Sequence, residues 1–213
     1  TLSIAGKNVT IKQNGSELKV NNPGQMDAAA NSVSTNGWVN ATNGLALLAT
    51  ISSADWLSFA SPLATEATGA NQDLTFKATT SNPSKNARSA TVVVKGGNSI
   101  SNGSYLALSK NVTVTQAGST VTGSTVEVAA TPVSNATATF GATPGLAWTA
   151  TTGTAWITVG TTSGSNTAAS NSVTYNTTAT NPSSAKRAGI ITVTAGGQSD
   201  SPTGTITVSQ AAS

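Results

Sequence analysis

Any chemistry in this 213-residue chain must come from carboxylates, amines, guanidinium groups and hydroxyls, because it contains no histidine and no cysteine. Without histidine the commonest general base is missing. Without either residue the histidine- and cysteine-based triads and nearly all zinc chemistry go too. No disulfide can form. The seven acids are Glu17, Asp27, Asp55, Glu66, Asp73, Glu127 and Asp200. Glycoside hydrolysis needs two of them facing each other across the scissile bond. Asp55, Glu66 and Asp73 are the nearest to such a group. The acids are otherwise thinly spread, with no metal-ligand spacing, and calcium would need several oxygens converging on one ion. A Ser/Lys nucleophile pair stays open, and nothing singles one out. The expectation is a chain that is not an enzyme, with no catalytic residue, cofactor or metal.

The ten bases are equally scattered, and Lys186-Arg187 is their only adjacent pair. Nucleic-acid binding relies on clustered phosphate neutralisers, so no nucleic-acid partner is expected. No run approaches the roughly 18 apolar residues of a membrane span, so no membrane insertion is expected. Charged residues make up 8% of the chain, against about 25% in ordinary soluble proteins. Serine and threonine fill the gap, at roughly 30%. A surface wetted by hydroxyls and amides suits an extracellular location, on a virion or a bacterial cell surface. The opening "TLSIAGKNVT" has no long apolar stretch. The expectation is that a leader was removed or that only an initiator methionine preceded Thr1.

What would position such side chains is a recurring strand. "VTVTQAGS" (112–119) returns as "ITVSQAAS" (206–213) and, more loosely, as "VTIKQNGS" (9–16). Alternating apolar residues with threonine between them predict a half-buried strand. The likeness extends upstream. "TTSNPSKNARSATVVVKGG" (79–97) matches "TATNPSSAKRAGIITVTAGG" (178–197), and "DWLSFAS" (55–61) matches "AWITVGT" (155–161). Ala155 stands where Asp55 would be, which counts against Asp55 as half of a shared catalytic pair. Trp56 aligns with Trp156, and Trp38 is taken to align with Trp148. "SELKVNNP" (16–23) resembles "STVEVAATP" (124–132). The chain is therefore a tandem duplication: an N-terminal arm at 1–16, a first repeat at 17–119 and a second at 120–213. Each repeat has about seven short strands between Gly, Asn, Pro and Ser clusters, which predicts two β-sandwiches. A short linker is expected near Thr120–Gly123.

A tryptophan, then Asn-Pro-Ser and Arg before a strand, then a closing "VTVTQAG" strand, resembles the BACON domain. That family is an immunoglobulin-like module of gut Bacteroidetes proteins and their phages. The resemblance covers both repeats. It implies an all-β fold of two tandem immunoglobulin-like β-sandwich domains with an N-terminal β arm or hairpin. It also implies one of two roles, carbohydrate or mucin binding or service as a spacer.

Residues shared by both copies are more simply part of the fold. Trp56, Trp156, Trp38 and Trp148 are expected in or against the cores. Arg88 and Arg187 are expected to bond carbonyls or a carboxylate beside their strands. Gln116 and Gln210 are expected to bond backbone. Specific function should then sit where the repeats differ. Repeat 1 has two apolar insertions relative to repeat 2, about ten residues between its tryptophans and about six before its closing strand. "GLALLATI" (44–51) holds Leu45, Leu47, Leu48 and Ile51; "SYLALS" (104–109) holds Tyr105, Leu106 and Leu108. An apolar loop either covers its own core or meets a partner, and both readings stand. The arm, with Val9 and Ile11, either folds back through an Asn14-Gly15 hairpin turn onto Leu18–Val20 or is lent to a neighbouring subunit as an exchanged strand.

Together these features predict a non-catalytic structural or display protein. Its partner would be a protein of a capsid, fibre or cell envelope. Repeat 1 docks and repeat 2 projects. The alternative is a carbohydrate-binding module of a secreted protein, with a glycan as partner.

Overall fold

The computed structural model describes residues 15–97 and 108–213, together with the backbone of two short strands near the N-terminus. Those two, β1 (Leu2–Ile4) and β2 (Lys7–Val9), pair antiparallel with Leu2 opposite Val9. The described residues form strands, turns and bends without a helix, and none of them forms a helix long and apolar enough to cross a membrane.

The first module holds β3 (Leu18–Asn21), β4 (Trp38–Ala41), β5 (Ala46–Ser52), β6 (Leu57–Phe59), β7 (Gln72–Asp73), β8 (Phe76–Ala78), β9 (Arg88–Gly97) and β10 (Leu108–Gln116). One sheet has the order β10-β9-β5; facing it are β3-β4-β7 and the β6-β8 pair. The second module holds β11 (Val121–Thr122), β12 (Thr125–Val128), β13 (Ala136–Ala142), β14 (Ala147–Thr152), β15 (Ile157–Val159), β16 (Ser163–Ser165), β17 (Ser170–Thr177), β18 (Arg187–Ala195) and β19 (Thr203–Gln210). Its sheets are β12-β19-β18-β14-β16 and β11-β13-β17-β15. Two facing sheets per module make the tandem β-sandwich that the alternation of apolar residues requires.

The recurring string shows why. Val112 and Val114 point into one core, and Ile206 and Val208 into the other, all without solvent exposure. The intervening Thr113 and Thr207 point outward. Val112 sits opposite Val92 on β9, and Ile206 opposite Ile191 on β18. Full burial of such a side chain stabilises by about 1.5–3 kcal/mol, so this alternation fixes the register of the closing strand. Each module encloses its own apolar cluster.

Val9 pairs with Leu2, and Leu18–Val20 pairs with Ala41–Val39 of β4, while residues 10–14, which would carry the expected hairpin onto Leu18–Val20, lie outside the described residues. Three expectations need correction. Trp38 does not correspond to Trp148. Ala41-Thr42-Asn43-Gly44-Leu45 and Ala142-Thr143-Pro144-Gly145-Leu146 occupy the same strand–turn–strand, with Gly44 and Gly145 both at positive φ (79° and 86°). Trp148 therefore corresponds to Leu47, and Trp38 corresponds to Thr139. "GLALLATI" is consequently not an insertion but the turn and strand β5, matching "GLAWTATT" (145–152). Finally, Val121 and Thr122 already pair with β13, so the linker ends before them.

Strand β4 is shorter than its counterpart β13 because the chain bulges just before it. Asn36 has φ 58°, and the backbone of Gly37 lies so close on the Leu74 carbonyl that a Cβ has no room. The Ser34 hydroxyl takes the N–H of Phe76 at 2.9 Å in place of a backbone carbonyl.

Candidate functional site

Each module carries the same cluster of Trp, Arg and Gln. The Arg88 guanidinium lies over the Trp56 ring at 4.6 Å, and Arg187 over Trp156 at 4.4 Å. Arg88 Nε donates to Gln116 Oε1 at 2.7 Å, as Arg187 does to Gln210 at the same distance. Nη2 of each guanidinium donates as well, to the Thr80 and Ala179 carbonyls. Gln116 and Gln210 are fully buried, and their amides donate to the Ala28 and Ala130 carbonyls at 2.9 and 2.8 Å. Burial lowers the Arg88 pKa from its ordinary value, and the Asp55 charge opposes that shift. The buried amides and the Nε and Nη2 nitrogens are satisfied locally, and each cation rests on an indole face. This is a clasp between strands, built the same way in both modules.

A second constellation lies between the modules. Asn82-Pro83-Ser84-Lys85 forms a loop held from within: Asn82 Nδ2 donates to the Asn86 and Ala117 carbonyls at 2.9 Å each, and Asn82 Oδ1 accepts from the Ser84 N–H at 3.1 Å. The loop meets the second module edge-on. The Ser84 hydroxyl donates to the Asp200 carboxylate, and the Lys85 N–H donates to the Asp200 carbonyl at 3.0 Å. Ser81 Oγ, which takes the Ala30 N–H, donates onward to the Pro144 carbonyl at 2.6 Å. Gly196, at φ 110°, backs onto the Pro83 carbonyl where a Cβ has no space. The Ser84 hydrogen bond is the largest cause holding the Asp200 carboxyl below its usual range. Beside the contact, Asp27–Ala29 and Thr120, Thr122, Gly141–Pro144 and Ala169 border an open cleft of about 330 Å³.

A third feature is a polar sheet face. Val39 and Ala41 of β4 point into the core, so Trp38 and Asn40 point out. Trp38 sits opposite Asn21 on one side and Asp73 on the other, and it is half-buried. Asn40 Nδ2 donates to Asn71 Oδ1 at 2.9 Å. Repeat 2 has Thr139 in place of this indole, so the fold itself does not demand it. Among the described residues no three His, Cys, Asp or Glu side chains gather as a metal site.

The family model for BACON, described as a putative binding domain, N-terminal, matches residues 31–117 and 146–211. The chain belongs to the BACON family. No curated protein matches it. Among solved structures, a Bacteroides ovatus GH5 xyloglucanase in complex with a heptasaccharide is 24% identical, over 42% of this chain and 17% of its own, with TM-score 0.32. Cadherin-like domains 1 to 4 of zebrafish RET are 10% identical over 93% of this chain and 51% of their own, with TM-score 0.45. The I9–I11 tandem of titin is 11% identical over 91% of this chain and 66% of its own, with TM-score 0.31. The BACON chain thus spans less than two thirds of each of these, and they carry nothing about what it binds.

The apolar residues expected to dock a partner are divided by this BACON fold. Leu45 and Leu47 are 5% and 2% exposed and belong to the core of the first module, so neither can meet a partner. Their strand is apolar because it covers that core. Leu48 points the other way and is 41% exposed, and Ile51 is half-buried against the core. Leu108 is also half-buried against it. Val9 lies in β2, where only the backbone is described; Ile11, Tyr105 and Leu106 lie outside the described residues. The structure does not gather the candidates into one patch. Trp56 is buried and Trp148 lies in its core, edge-on to Phe140 at 5.0 Å. Trp156 is half-buried beneath Arg187.

Sequence reading missed the junction. Asn82-Pro83-Ser84 was legible as a repeated motif, but its partner Asp200 is 116 residues away. The signal available was that Asp200 is one of only two acids in the second repeat.

Proposed function

We propose that the chain is a stiff, non-catalytic structural or display element, two BACON modules long. In this reading it is carried on an extracellular surface, either a virion or a bacterial cell, and docks through its first module to a protein of that assembly. The observation that carries it is the junction, where a side-chain bond, a backbone bond and a glycine closed on a proline carbonyl hold neighbouring poles together. Several hydrogen bonds acting together at such a contact oppose the independent motion expected of tandem domains. Small-angle scattering of the full chain tests it. A single rigid two-module shape is expected, and a broad distribution of inter-module distances would remove the basis for a spacer. Deleting residues 120–213 should leave attachment intact; loss of attachment by a folded truncation would reverse the assignment of the docking module.

A second reading, glycan binding, is favoured by Trp38. An indole without structural necessity, turned outward among Asn21, Asn40, Asn71 and Asp73, offers a stacking face with flanking hydrogen-bond donors and acceptors. Affinity electrophoresis of the full chain and of Trp38→Ala through soluble polysaccharides tests it. Retardation lost in the variant supports glycan binding, whereas identical migration on every polysaccharide opposes it.

A further inference from the structure

The loop that joins the modules is built twice. In the second repeat, Asn181 Nδ2 donates to the Ala185 and Ala211 carbonyls at 2.8 and 2.9 Å. Asn181 Oδ1 accepts from the Ser183 N–H at 3.1 Å, as Asn82 Oδ1 does from Ser84. Ser213 Oγ donates to the Asn181 carbonyl, as Ser119 Oγ does to that of Asn82. The Ser213 N–H donates to the Ser183 carbonyl at 3.1 Å, and the Ser119 N–H donates to that of Ser84 at 2.8 Å. Hydroxyls stand at both docking positions: Ser84 becomes Ser183, and Ser81 becomes Thr180. The loops differ in surroundings. In the first, Pro83 and Ser84 are half-buried against the second module, while their counterparts Pro182 and Ser183 are exposed, as are Ser184 to Lys186. A loop rigidified from within before any partner arrives loses little entropy on docking.

We propose that the Asn181–Lys186 loop is a preformed docking surface for a further β-sandwich module. The partner is defined by what the first loop already grips. It offers a Gly-x-x-x-Asp turn like Gly196–Asp200: a carboxylate for the Ser183 hydroxyl, the carbonyl of the same residue for the Ser184 N–H, and a glycine without a side chain over Pro182. A neighbouring strand-end carbonyl, the counterpart of Pro144, accepts from the Thr180 hydroxyl. The chain then extends in one direction, each module gripping the next by the same polar contact.

This proposal rests on reading the existing junction as a rigid coupling, and one experiment separates the two. The full chain is extended after Ser213 by a second copy of residues 120–213, which enclose a core of their own. Amide hydrogen exchange is then followed by NMR. The Lys85 amide reports the existing junction and the Ser184 amide reports the new one. We expect Lys85 to be protected in both proteins and Ser184 to slow by about tenfold or more in the extended chain only. Asp200→Ala in the added copy alone should return Ser184 to fast exchange. Protected core amides in the added copy establish that it is folded. A second arrangement supplies residues 120–213 in trans at about millimolar concentration, the affinity range of a small polar contact, and reads the same amide without the linker. If Lys85 is protected while Ser184 exchanges freely beside a folded module, the docking surface is wrong and the rigid junction survives. If Lys85 also exchanges freely, the rigid junction itself fails.

Discussion

The Ser84 hydroxyl donates a hydrogen bond to the Asp200 carboxylate, joining two modules across 116 positions of sequence. The adjacent Lys85 N–H donates to the backbone carbonyl of the same aspartate. One residue of the second module thus receives both a side chain and a main chain of the first. Asp200→Ala should remove the first contact and leave each core intact. NMR relaxation should then show the modules tumbling more independently, with thermal unfolding of each unchanged. Undiminished coupling in the variant would mean that Asp200 is incidental.

The same carboxylate gives the junction a pH dependence. Its pKa is depressed in the folded chain, chiefly by the Ser84 bond, against about 3.9 for an unperturbed aspartate. A depressed carboxyl contributes fully above its unfolded value and loses that contribution as pH falls through the folded one. Inter-module coupling should therefore hold from neutral pH down to about pH 4 and weaken below it. Relaxation measured as a function of pH checks this; uncoupling already near pH 6 would point to another group.

Gln210 should matter more to stability than any exposed polar residue. It is fully buried and accepts from Arg187 while donating to the Ala130 and Ala179 carbonyls. Gln210→Leu leaves the Ala130 carbonyl and Arg187 Nε without this partner, at a cost of about 1–3 kcal/mol; the Ala179 carbonyl keeps its bond from Arg187 Nη2. Gln116→Leu should do the same to the first module. Urea unfolding measures both. A neutral result in either would mean that water or a neighbour replaces the amide.

Leu47 and Leu48 are adjacent but opposite in role. Leu47→Ala should cost about 2–5 kcal/mol as a core truncation. Leu48→Thr, which installs the residue of the second repeat at the equivalent position, Thr149, should stay within about 0.5 kcal/mol. If attachment to a host surface uses this strand, only the second variant weakens it without weakening the fold. Denaturation curves and a binding assay on one preparation separate the effects.

Much of this was legible in advance because burial imposes a period. Val112, Val114, Ile206 and Val208 announce themselves by alternation, and the duplicated Trp, Arg and Gln announce a shared structural task. Pairing Trp38 with Trp148 was an error of chemistry over geometry. Aromatic identity outweighed the frame Ala-Thr-x-Gly-Leu, whose glycine needs positive φ in both turns and so marks the equivalent positions more reliably than a ring does. That error made β5 look like an insertion and its core leucines look like a docking surface. The junction was illegible for another reason. It consists of single polar contacts between distant loops, and no periodicity records them.

Residual dipolar couplings measured across both modules in a single weakly aligned sample test directly whether the two are held in one orientation. One alignment tensor fitting amides of both modules, with Asp200→Ala splitting it into two, is the predicted result. Two tensors of different magnitude in the unaltered chain would contradict it.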